Sequence, residues 1–483
     1  MLPIRALARL LQRRSISPIE LTEAVLARID DLEPDLHTYL NVSVERARAA
    51  AHEAEVAIRA GRYRGALHGV PVGLKDLFDT ADIPTTAGSR LLKDRIPAED
   101  ATVTSRLQSA GAVLIGKHTM HEFAWAVPFL DDFFPPARNP WDVTRVPGGS
   151  SSGSAAAVAA GLCAGAIGSD SAGSIRGPAA WCGVVGLKPT YGLISRLGMF
   201  PLSPTLDHAG PIGRCVEDVA ILLGAVAGHD AGDPASASTT AADYSIDIAP
   251  AIHGVRIGIP VTYIDAAPGL TGDVLSAFRR AIATLEDLGA EVRDIDIPSL
   301  RLAESSWQAI LRAEALSIHG PGLRARRQEY GRGFLQRLST GDSGVISDLA
   351  EAQQTRRALS RALQDAMTRV DVIATPTSVR TAPTFAEFAD EAVSRPTNAS
   401  RFTAIFNLTG QPSLSVPCGF DTLGLPIGLL LSGRPFEESL LLRLARAYEL
   451  ANDSARMPPS SQVHAGRAYG RSSTIATSTG VNT

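Results

Sequence analysis

The chain has 483 residues, 45% of them apolar, which is ample for a large buried core and excludes a mini-protein or a disulfide scaffold. Its 46 Lys+Arg against 50 Asp+Glu leave a net charge of −4, so nothing global attracts nucleic acid or an anionic membrane. Four of the basic residues are lysines, at positions 75, 93, 117 and 188, and each therefore needs its own explanation.

The amino terminus, MLPIRALARLLQRRS, is amphipathic and arginine-rich without a continuous apolar stretch or a small-residue cleavage site, and does not read as a secretory signal. From Ser17 to Gly61 apolar residues recur at helical spacing, as in Leu21, Val25 and Ile29, with Ser17 as N-cap and Pro18 in the first turn. Residues 1–65 are expected to form a helical N-terminal segment. The apolar runs HGVPVGL and AGAVLIG flank a helical patch at 99–110, and the same rhythm returns in GVVGLKP, GVRIGIP, AEVRDIDIP and DVIATPT. This alternation predicts an α/β protein at 66–455, with a central mixed β-sheet covered by helices on both faces. Residues 265–370 read as a helical insertion forming a cap or lateral layer. Residues 228–245 read as a small-residue linker, and the Ser, Thr and Gly of 456–483 predict a disordered tail. The weakly polar stretch from Gly153 to Gly168 is too short to span a bilayer. The cysteines at 163, 182, 215 and 418 have neither C-x-x-C nor metal-ligand spacing and read as buried free thiols. A soluble cytoplasmic protein with no metal site follows as the expectation.

The densest chemical signal lies between Pro147 and Pro178, where PGGSSSGSAAAVAAG is followed by GSDSAGSIRGP. Small residues here permit close packing in any case. Gly148 and Gly153 have the spacing of a phosphate-binding loop, but Ser154 stands where such a loop needs lysine. Gly149, Ser151 and Gly153 satisfy G-x-S-x-G, with His208, His229, His253 and His319 downstream as hypothetical bases. A nucleophile elbow needs a strand directly before it, whereas FFPPARNPWDVTRVP reads as an irregular loop. A third reading joins Ser150, Ser174 and Lys75. None of the ten histidines lies in this segment, and a lysine can act as base when burial keeps it neutral. Apolar neighbours in VPVGLKD point to burial of Lys75; the competing reading is a surface lysine paired with Asp76.

On this third reading the chain resembles the amidase signature family of serine hydrolases. The resemblance rests on GGSSSGSAAAVAAG, then Asp170, Gly173, Ser174, Ile175, Arg176 and Pro178, on the 24-residue separation of Ser150 and Ser174, and on HGVPVGLKDLFDT, TTAGS, GAVLIGKHTMHEFA, CGVVGLKPTYG, ATPT and NLTGQPSLSVPCGF. It implies Ser174 as nucleophile, Ser150 as a bridging serine joined by a cis peptide bond to its preceding glycine, and Lys75 as base. It further implies an oxyanion site of backbone N–H groups from Ser171, Ala172, Gly173 and Ser174, and no cofactor. Asp170 and Arg176 are expected to brace the loop, and Ser151 to support the lysine and bridging serine. Lys117 and Lys188 are read as structural and Lys93 as a surface residue.

The expected activity is that of a free-standing amidohydrolase acting on a small apolar or aryl carboxamide, with no nucleic-acid or membrane partner and a homodimer left open. Trp125, Phe129, Phe133 and Phe134 follow the HEFA motif and are the candidate substrate pocket. The alternatives are the glutamine-hydrolysing A subunit of a tRNA-dependent amidotransferase, a carbamate or ester hydrolase, and a binding protein that has lost activity. The tyrosine-rich segment of the amidotransferase chain appears here as GVISDLAEAQQTRRALSRAL, without tyrosines.

Overall fold

A computed structural model of the chain describes residues 1–239, 251–339, 345–394 and 400–452, together with Ala242, Tyr244 and Pro458. Each of the six apolar runs read as strands overlaps one. In chain order the strands are β1 (Tyr39–Val42), β2 (Pro71–Lys75), β3 (Val113–His118), β4 (Gly165–Asp170), β5 (Val185–Lys188), β6 (His208–Gly213), β7 (Arg256–Ile259), β8 (Glu291–Asp294), β9 (Val372–Pro376), β10 (Ser413–Phe420) and β11 (Pro426–Ser432). The described residues assemble these into one eleven-stranded sheet, ordered β1-β3-β2-β4-β6-β5-β10-β11-β9-β7-β8. The sheet is mixed: β3, β2 and β4 run parallel, as do β9, β7 and β8, and the strands between are antiparallel.

Strand alternation shows that both faces are covered. On β3, Leu114 joins one apolar cluster while Val113 and Ile115 join another, and on β4 Ile167 and Ala166 divide the same way. The first cluster is completed by helices Val216–Val226, Gly272–Asp287 and Glu438–Ala451. The second is completed by Pro18–Leu36, Val44–Arg59 and the alanine-rich Ser152–Ala160, whose nine residues are all buried. Small side chains there bring the helix backbone close to its neighbours. A Cβ on Gly153 would lie 2.3 Å from the Thr38 carbonyl oxygen.

The N-terminal 65 residues hold helices, with Ser17 capping Pro18–Leu36 through a capping box, but they also supply β1, which the helical reading did not anticipate. β1 pairs antiparallel with β3 at the sheet edge, and the Ile4 N–H donates to Asp218 Oδ1 at 2.6 Å. Between residues 265 and 370 the described chain is helical apart from β8. Residues 228–239 are pinned rather than loose: Thr102 and Ser195 hydroxyls donate to Asp230, and the Arg196 N–H to Asp233. The remainder of the expected linker, apart from Ala242 and Tyr244, and the expected tail, apart from Pro458, lie outside the described residues. All four cysteines are free thiols, with Cys163, Cys182 and Cys418 buried and Cys215 half-buried. Among the described residues no helix is long and apolar enough to cross a membrane.

Candidate active site

Lys75 is the last residue of β2, a strand whose five residues are all buried, so the sheet carries its side chain into the interior with no solvent contact. Its Nζ lies 2.7 Å from Ser150 Oγ and donates to Ser169 Oγ at 2.8 Å. Desolvation lowers its pKa to about 7, against the attraction of Asp170 and Asp207, so a large neutral fraction exists near neutral pH. Asp76 does not pair with it. That carboxylate faces Lys117 at 3.3 Å and accepts from the Thr86 N–H, while Lys117 also donates to the Phe78 carbonyl and Thr85 hydroxyl. Lys188 is buried on β5 and donates to the Pro189 carbonyl; Lys93 is on the surface beside Asp94.

Ser150 is joined to Gly149 by a cis peptide bond in the irregular loop before helix Ser152–Ala160. No strand leads into this loop, so the nucleophile-elbow geometry is absent. Ser151 reaches both sides of the site: its N–H donates to the Ser174 carbonyl at 3.3 Å, and its hydroxyl donates to the Ser169 carbonyl at 3.0 Å. Ser174 is half-buried in the turn between β4 and helix Arg176–Cys182. Asp170 and Arg176 brace that turn. Their side chains meet at 2.8 Å with no solvent exposure, and Arg176 also donates to the Thr403 carbonyl, Asn407 and Ser413. Burial by itself would raise the Asp170 carboxyl, but the charge and hydrogen bonds of Arg176, with Lys188 and Asn407 behind them, hold it well below its usual range. Asp170 in turn accepts from the N–H groups of Gly173 (2.6 Å) and Ile175 (3.1 Å). The Gly173 N–H, expected in the oxyanion site, is thus already committed to Asp170, whereas Ser171, Ala172 and Ser174 border the cavity with it.

Ser150 and Ser174 line one cavity of about 90 Å³. Of the four aromatics expected there, Trp125 is present; Phe129, Phe133 and Phe134 are not. Phe129 instead packs under the Arg332 guanidinium at 3.8 Å, and Phe133 and Phe134 border a neighbouring cavity. The reason is local: Phe123 and Ala124 take left-handed φ values of +48° and +60°, which turns the chain sharply at Trp125 and carries the following loop away. The apolar wall is completed by Trp181, Leu202, Trp307, Leu311 and Phe388, which come from four separate segments and left no local signal in the sequence. Arg337 also borders the cavity. It arrives on helix Arg332–Ser339, whose preceding Gly331 N–H donates to Glu122 at 2.8 Å; burial raises that carboxyl to about 7. Among the described lining residues the one histidine is His121, not any of the four considered as bases. Ser169, the acceptor beside Lys75, also escaped the sequence reading, although strand alternation opposite Asp170 was its signal.

The chain is 38% identical over 480 residues to the A subunit of glutamyl-tRNA(Gln) amidotransferase from Synechococcus elongatus, covering 94% of this chain and 98% of the relative. Native peptide amidase from Stenotrophomonas maltophilia superposes with a TM-score of 0.81 at 30% identity, over 94% of this chain and 98% of that one. A 6-aminohexanoate cyclic dimer hydrolase superposes at 0.85 and 28% identity, over 95% and 98%. The Amidase family model matches residues 20–442, and the chain accordingly belongs to the amidase family of enzymes that cleave amide C–N bonds.

Proposed function

We propose that the protein is an amide hydrolase that works through a Ser174 acyl-enzyme, with Ser150 and Lys75 as its proton relay. The observation that carries this reading is a fully buried lysine, with a pKa near 7, placed 2.7 Å from a serine that shares a cavity with a second serine. Neutral Lys75 takes the Ser150 hydroxyl proton while Ser150 takes that of Ser174, and Ser174 Oγ bonds to the amide carbonyl carbon. The oxyanion that forms is met by the N–H groups of Ser171, Ala172 and Ser174; Gly173, bound to Asp170, tightens the loop that presents them. Ser150 then passes a proton to the departing nitrogen as the C–N bond breaks, and water attacks the ester by the same relay.

The cavity favours a small acyl group with an apolar or aryl body, against the walls formed by Trp125, Trp181, Trp307 and Phe388. Arg337 adds a basic side chain to the same lining. A second reading, the glutamine-hydrolysing chain of an amidotransferase, is favoured by the similarity to glutamyl-tRNA(Gln) amidotransferase chains of several bacteria. Free glutamine carries an ammonium group, and the described cavity lining offers no carboxylate to pair with it.

The test is hydrolysis of primary amides, anilides, esters and glutamine by the purified chain, wild type and Ser174→Ala. Wild-type turnover of aryl amides, lost by at least about 1,000-fold in the variant, is expected. Activity limited to glutamine, appearing only with added partner proteins, would replace this reading by the second.

A further inference from the structure

We propose that His121 reads the leaving group, accepting a hydrogen bond from the N–H of the scissile amide nitrogen and so favouring amides with at least one N–H over tertiary amides and esters. This rests on the acyl-transfer reading above. His121 borders both the cavity that holds Ser174 and the neighbouring cavity of about 220 Å³, so its ring belongs to the wall the two share. An amine leaving Ser174 toward the larger space passes this ring.

The ring is held against the reacting serines. A Cβ on Gly149 would lie 2.0 Å from the imidazole, so that glycine lets the ring sit directly over the peptide that precedes Ser150. The backbone N–H of His121 donates to the Ser150 carbonyl at 3.2 Å, and Phe388 meets the ring edge-on at 6.2 Å. The imidazole stays neutral: burial, then the charges of Lys75 and Arg337, lower its pKa to about 3. A neutral imidazole has one N–H and one bare nitrogen. A backbone hydrogen bond with Ala126 opposes that shift, and the ring nitrogen it does not use is the proposed acceptor. Lys75 is engaged with Ser150 and Ser169 and the Arg337 guanidinium can only donate, so an acceptor at this position gives the site a means of recognising N–H.

The experiment compares kcat/KM for benzamide, N,N-dimethylbenzamide and methyl benzoate in the wild type, His121→Leu and His121→Asn. In His121→Leu the benzamide-to-ester ratio should fall about 10-fold, and the benzamide-to-tertiary-amide ratio similarly, as expected for loss of one hydrogen bond in a closed site. His121→Asn, which keeps an acceptor, should recover part of both ratios. Should His121→Leu fail to fold, His121→Phe makes the same comparison. Equal losses on all three substrates, or unchanged ratios, would overturn the role of His121 and leave the acyl-enzyme standing. No wild-type turnover of any of the three would overturn the aryl-substrate reading, and the inference with it.

Discussion

A lysine can serve as a base only while it is neutral, and the ordinary ammonium is almost wholly charged at pH 7. Lys75 escapes that because β2 delivers it to a place without water, where its neighbours at hydrogen-bond distance are serine hydroxyls rather than carboxylates. The other carboxylate within sequence reach, Asp76, is drawn to Lys117. Protonation of Lys75 would disable the proposed relay, and its neutral fraction grows as pH rises through about 7. The expected profile of kcat/KM therefore climbs about tenfold per pH unit below that value and levels off above it. Lys75→Arg keeps the charge but removes the ability to lose a proton, and should be inactive across the range. A pH–rate profile from pH 5 to 9 on the wild type, with the variant beside it, checks both. A flat profile, or an active arginine variant, would remove Lys75 from the relay. The identities of Lys75, Ser150 and Ser174 were legible in the sequence because each sits in a dense local motif. Ser169 and Arg337 were not, since the first needs the pairing of strand faces and the second arrives on a helix from far along the chain.

At the scale of elements, the turn that carries Ser174 is a junction held by one buried ion pair. Arg176 joins the end of β4, through Asp170, to helix Ala404–Leu408, through Asn407, and to the start of β10, through Ser413. Both charged partners are fully buried, so removing one strands the other without water. Arg176→Leu should lower stability by about 3–5 kcal/mol and release the turn that presents Ser174. Denaturant unfolding of the variant measures the first effect. The second predicts a loss of acyl-enzyme formation larger than the loss of folded protein, and a variant as stable as the wild type would contradict the junction. Asp170 and Arg176 were expected to brace the turn because they flank it within the motif that carries the family resemblance. The strands β4, β6, β10 and β11 were harder to read. β4 is GAIGSD and β6 is HAGPIG, runs whose glycine and proline speak against strand propensity yet are accepted because tertiary packing covers both faces.

At the scale of the whole molecule, the question is how residues 1–65 attach to the sheet. A helical segment that merely preceded the sheet would be removable, but this one completes it. β1 covers the edge of β3, with Tyr39 opposite His118 and Val42 opposite Gly116, and a Cβ on Gly116 would collide with the Asn41 carbonyl at 2.1 Å. Ile4, Leu7 and Leu11 belong to the same apolar cluster as Leu74 of β2 and Ile167 of β4. Helix Pro18–Leu36 packs Val25, Leu26 and Ile29 with the alanines of Ser152–Ala160, the helix that directly follows Ser150. Deleting residues 1–65 would expose an unpaired strand edge and two apolar surfaces. The 66–483 fragment should therefore fail to give a cooperative unfolding transition and should not hydrolyse amides, even though it retains Lys75, Ser150 and Ser174. Circular dichroism and turnover of the fragment, compared with the full chain, decide the matter. A stable, active fragment would mean that the sheet closes without β1 and that the support of the Ser150 loop lies entirely in the residues after 65.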